Sequence, residues 1–144
     1  MRGKRELLMR KSTVDKDLIR RYDASVAENT ALAEGALDEL RSLTGELSAF
    51  AKERSKKKRE ENKPTVEDLV LRCDNLRSRI SWYMHLVKTG ADGIVQMLDK
   101  TSPKEAKKKR IVYGKQRVAF LEKNEKAEAE YKKVCGLLLA EASK

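Results

Sequence analysis

The chain has 144 residues, enough for one domain, with 39% charged residues, only 5% aromatics and a formal net charge of +10. That balance, dominated by Ala, Glu, Lys, Leu and Arg, points to long helices with narrow apolar seams and away from a broad compact core. It excludes a disulfide framework, because there are only two cysteines, Cys73 and Cys135, and both read as reduced, buried thiols.

The first twelve residues form a basic segment containing Arg2, Lys4, Arg5, Arg10 and Lys11. Its Arg content resembles a mitochondrial presequence, but Glu6 and the acids that follow spoil that pattern. Leu7, Leu8 and Met9 offer too little apolar area for firm attachment to a membrane. No apolar run approaches the length of a transmembrane span. The reduced thiols fit a cytoplasmic or nuclear setting, with mitochondria as the remaining alternative.

Helix 1 is expected from about residue 13 to about 52. Ile19, Tyr22, Val26, Asn29, Ala33, Ala36, Leu40, Leu43, Leu47 and Phe50 alternate at three and four residues, which is a heptad repeat. Asn29 alone is polar in that seam. It either fixes register against a neighbouring helix or tilts to solvent. The middle of this helix is acidic, with Glu28, Glu34, Asp38, Glu39 and Glu46.

Residues 52–63 are nearly all charged and lead to Pro64. Because proline disfavours helix in the residue before it, this stretch reads as a joint. Thr65 with Asp68 then suggests a weak capping box, opening helix 2 over 65–100. Val66, Leu69, Cys73, Leu76, Ile80, Tyr83 and Val87 supply its seam. Gly90 and Gly93 are weak points, yet Ile94 and Met97 keep phase, so the helix is expected to run on through them. Trp82 lies off the narrow seam. A middle helix that touches two neighbours needs a wider apolar face, so burial is the expectation, with a role as an interface anchor the competing reading.

Ser102-Pro103-Lys104-Glu105 is a strong helix start: a cap, proline at the first helical position, and an acid to close the box. Helix 3 should span 103–142. Tyr113, Phe120, Ala127, Tyr131, Val134 and Leu138 keep phase, interrupted by Arg117 and Asn124. Ile111, Val118 and Leu121 form an offset stripe. Short joints make successive helices antiparallel. The fold class is therefore all-α, an elongated antiparallel three-helix coiled-coil-like bundle. The alternative is a helix 1–2 hairpin whose third helix docks on a partner.

No catalytic constellation is present. The one histidine, His85, falls opposite the seam, acids alternate with bases on exposed faces, and no phosphate-cradling loop or nucleophile elbow appears. No metal site or cofactor is expected. The basic clusters carry the functional signal. Lys56, Lys57, Lys58 and Arg59 form one run, and Lys107, Lys108, Lys109 and Arg110 repeat it. The second run would converge with Arg5, Arg10, Lys11, Lys88, Lys100 and Lys104 at one end of an up-down-up bundle. Cations near the start of helix 3 oppose its dipole, which makes that end the better anion site. Tyr113 beside it could stack on a base. Either run also matches a nuclear import signal loosely.

The reading reached is a non-catalytic helical subunit or adaptor of a larger assembly. Other protein subunits are the expected partners, met through the basic ends and through helix 3 at Tyr131, Val134 and Leu138, with Trp82 a further interface candidate. An acidic surface, nucleic acid (RNA or DNA) or a second copy of the chain are the other candidates.

Overall fold

The computed structural model describes the backbone of residues 2–142 and the side chains of residues 16–141. Three helices account for nearly all of it: α1 (Arg2–Ala51), α2 (Lys56–Thr101) and α3 (Pro103–Ala142). The fold is an all-α three-helix bundle, and α3 packs within the chain rather than standing apart as a docking element.

The boundaries of α3 are those expected. Ser102 alone separates it from α2. The Ser102 N–H donates to Leu98 O, extending the ladder of α2, and the Ala106 N–H donates to Ser102 O, opening that of α3. Pro103 takes the first position, where its missing N–H is no loss. Helix α2 also runs unbroken through Gly90 and Gly93.

The other two helices start earlier than the seams suggest. Helix α1 begins at Arg2 rather than near Thr13, and α2 begins at Lys56 rather than at Thr65. Lysine, arginine and glutamate favour helix without an apolar face, so the charged stretches propagate helix where the hydrophobic pattern is silent. Ser55, not Thr65, is the cap. Its Oγ accepts from the Lys58 N–H at 3.4 Å, and its own N–H donates to Glu53 Oε1 at 3.1 Å. Pro64 lies inside α2.

The chain divides into two compact units, one of Met1–Ala31 with Tyr83–Arg117, the other of Leu32–Trp82 with Val118–Lys144. In the first unit Val26, Ile94, Leu98 and Ala106 form the core, with Ile19, Val87 and Tyr113 packed against it. Helices α1 and α2 approach closely here: a Cβ on Gly90 would stand 2.8 Å from Val26 Cγ2. Asn29 is half-buried and does not reach another helix. Its Nδ2 donates to Ser25 O at 2.8 Å, on its own helix.

Among the described residues, the second unit holds the larger core. Ala33, Ala36, Leu40, Leu43 and Leu47 of α1, Leu69, Cys73, Leu76 and Ile80 of α2, and Phe120, Ala127, Tyr131 and Val134 of α3 are all buried. Leu37 and Thr44 widen the α1 face beyond the strict heptad. The buried Thr44 hydroxyl is satisfied by donating to Leu40 O at 2.8 Å. Arg77 pairs with Glu128, and Tyr131 with Asp74. Three residues up α2 thus correspond to three residues down α3, which is an antiparallel register.

Candidate interaction surfaces

In the first unit, half of the second basic run is already occupied. Lys109 Nζ lies 3.3 Å from Asp23 Oδ2, and Arg110 Nη2 lies 2.5 Å from Asp99 Oδ2. The Tyr113 hydroxyl also donates to Asp23, and the Lys109 ammonium stands 5.6 Å from the Tyr113 ring centroid. Burial first, then this carboxylate, push the Tyr113 phenol well above its ordinary range. Tyr113 is therefore a packing residue, closed to base stacking. Lys104, Lys107 and Lys108 are exposed, and among the described residues they enter no ion pair. Lys88 and Lys100 are exposed as well. Arg5, Arg10 and Lys11 lie in α1, but their side chains fall outside the described residues.

Charge and dipole conflict more strongly at α2 than at α3, where Glu105 offsets Lys104. Lys56, Lys57 and Lys58 fill the first three positions of α2, whose first turn has no acid, whereas the first turn of α3 contains Glu105. These three lysines are exposed; Arg59 instead reaches Glu141 at 2.8 Å. Both basic runs thus split into solvent-facing lysines and members tied into the fold. Beside the first run, Phe50, Val66 and Leu138 floor an open cleft of about 290 Å³, rimmed by Lys56, Arg59 and Lys63 and by Glu53, Glu60 and Glu141. Its opposing charges cancel, so the cleft selects no ligand charge.

The apolar candidates change places. Tyr131 and Val134 are buried in the second unit and Leu138 is half-buried. Tyr131 and Val134 hold α3 in the bundle, while Leu138 keeps part of its surface at the open cleft. Trp82, expected to be buried, is 58% exposed. Part of the contact between α2 and α3 is instead polar, made by Arg77 and Asp74. Arg77 grips Glu128 through Nε–Oε1 and Nη2–Oε2, both 2.8 Å, and its guanidinium stands 5.0 Å from the Tyr131 ring centroid. That hydrogen-bonded fork holds the Arg77 charge more firmly than usual. A bidentate, half-buried pair of this kind lies toward the upper end of the ~0.2–1 kcal/mol measured for accessible pairs. Sequence patterning does not reveal these acids, because Asp23, Asp74, Asp99, Glu128 and Glu141 look like any other surface carboxylate until the helices are docked.

Leu71, Ile111, Val112, Val118, Leu121, Leu137 and Leu139 are the other strongly exposed apolar residues of α2 and α3. The offset stripe Ile111, Val118 and Leu121 accordingly faces water. Burial pushes the Cys73 thiol up to about 11, with Cys135 and Asp74 adding to the effect. That makes it unreactive near neutrality. No group of three metal-ligating side chains assembles among the described residues, and no described helix is long and apolar enough to cross a membrane. Comparison of the chain with protein families, with curated proteins and with solved structures found no match.

Proposed function

We propose that this chain is a non-catalytic helical subunit or adaptor of a larger assembly, meeting partners through exposed surfaces of α2 and α3. One observation carries the reading. Large apolar side chains stay in water although the core already has Leu, Ile and Phe to fill it: Ile111 is 50% and Val112 48% exposed, on the same helix as exposed Lys104, Lys107 and Lys108. Apolar groups bordered by cations suit an acidic, amphipathic protein surface.

The test compares complexes recovered with the wild-type chain and with Ile111→Glu/Val112→Glu. Because both residues are exposed, the variant should keep its helical circular dichroism. Partner recovery should fall at least about tenfold. Recovery of the same proteins in the same yield by the folded variant overturns the reading.

Nucleic-acid binding through Lys104, Lys107 and Lys108 is the second reading, favoured by their exposure. With three phosphate contacts, the logarithm of affinity should fall with that of salt at a slope of about −3. Lys107→Glu/Lys108→Glu should abolish binding; unchanged affinity rules this surface out. Lys109 and Arg110 are unsuitable for that test, since their loss would also break the pairs with Asp23 and Asp99.

A further inference from the structure

Helix α2 carries a second heptad stripe on the face turned away from its own core. Leu71, Asn75, Ser78 and Trp82 follow one another at four, three and four residues, and all four are exposed. They lie about 140–200° around the helix from buried Cys73, on the side of α2 opposite its buried seam. In a chain with 39% charged residues this line holds no charge. Leu71 and Trp82 are 60% and 58% exposed.

We infer that this stripe is a homodimer interface, on which a second copy of the chain packs its own α2 parallel and in register. In heptad terms Leu71 and Ser78 take d positions, while Asn75 and Trp82 take a positions. Leucine at d and a single asparagine at a are the residues that favour a parallel two-stranded pair and fix its register. Asn75 would hydrogen-bond Asn75 of the second copy, where a foreign apolar surface would leave the amide unpaired.

The flanks select the orientation. In a parallel pair, each residue before an a position meets the residue five places later on the other helix. Glu67 then meets Arg72 of the second copy, and Asp74 meets Arg79 of the second copy. All four side chains are exposed, with Asp74 keeping 52% of its side-chain surface while it serves Tyr131 and Arg77. Arg72 reaches Glu39 only at 3.9 Å, so it can turn to a better partner. An antiparallel pairing would set arginine against arginine and acid against acid, and is disfavoured. Two heptads of contact bury less surface than a standard stable interface, so the dimer is weak.

The inference is independent of the proposed adaptor role, because every residue it uses belongs to the second unit and none to the Ile111–Val112 surface. Sedimentation equilibrium of the full chain from roughly 10 µM to 1 mM tests it. Reversible dimer formation is expected, weakened at least about tenfold by Trp82→Glu. Glu67→Arg and Arg72→Glu should each weaken the homodimer, and mixing the two variants should restore association, since the mixed pair regains both opposite-charge contacts. A chain that stays monomeric over the whole range overturns the inference. So does a dimer that survives Trp82→Glu unchanged, or a mixture that associates no better than its separate components.

Discussion

At the scale of single residues, the closest approach of backbone to side chain decides more than helix propensity does. Gly90 and Gly93 both lie inside α2, and on propensity alone alanine at either should stabilise by about 1 kcal/mol. Their surroundings differ. A methyl at Gly90 meets Val26 Cγ2 at 2.8 Å, while one at Gly93 meets only the Tyr22 ring at 3.8 Å, an ordinary contact. Val26 is buried, and a helical valine has one strongly preferred rotamer, so it cannot yield. Gly90→Ala should therefore destabilise by about 1–2 kcal/mol net, and Gly93→Ala should stabilise by about 0.5–1 kcal/mol. Urea midpoints of the two variants check this; shifts of equal sign would refute the steric account. Which glycine touches a neighbour is not legible in the sequence, where the two look alike. Trp82 escaped the sequence for a related reason: patterning identifies the side of α2 that is apolar, while Arg77 and Asp74 show that part of its contact with α3 is polar. Asn124 shows the converse. Its Oδ1 is buried with no hydrogen-bond partner among the described residues, and the broken seam of α3 announced that weakness in advance.

At the scale of the element, α2 starts against two physical penalties. Three lysines occupy its positive dipole end, each unfavourable by about 0.3–1 kcal/mol when exposed. Pro64, nine residues in, supplies no N–H to Glu60 O and crowds that carbonyl, a defect worth about 3 kcal/mol in a helix interior. Ser55 and Glu53 partly offset these by satisfying the first free N–H groups. Pro64→Ala should then raise stability by about 1–3 kcal/mol, and Ser55→Ala should lower it by about 0.5–2 kcal/mol. Thermal melts followed by circular dichroism measure both. A less stable Pro64→Ala variant would mean that the bend imposed by proline is needed to bring Val66 and Leu69 onto their contacts. The same penalties explain why the start of α2 was misplaced from sequence, while Ser102–Glu105 placed α3 to the residue. At Ser102 every local preference agrees; at Pro64 the steric rule points to a boundary that the good helix formers on either side override.

At the scale of the whole molecule, the two units differ in how much apolar surface their described residues bury. Among the described residues, the first buries Val26, Ala91, Ile94, Val95, Leu98 and Ala106, of which two are alanines; the second buries fourteen apolar residues, including Leu40, Leu47, Leu76, Ile80 and Phe120. Each fully buried Leu or Ile contributes about 1.5–3 kcal/mol, so on the described residues the second unit has the greater resistance to opening. All three helices pass through both units, yet continuity of a helix does not equalise protection, because an amide exchanges through the least costly local opening available to it. Native-state hydrogen exchange should therefore show amides of residues 83–98 in α2 opening at least about 2 kcal/mol more easily than those of residues 69–82. Uniform protection along α2 would show that the bundle opens only as one cooperative block, and that the region around the exposed lysines near the start of α3 is no more adaptable than the rest. A graded profile would instead place the exposed Lys104, Lys107 and Lys108 on the part of the fold that can yield to a partner, with the deeper core of the second unit holding the chain together while it does.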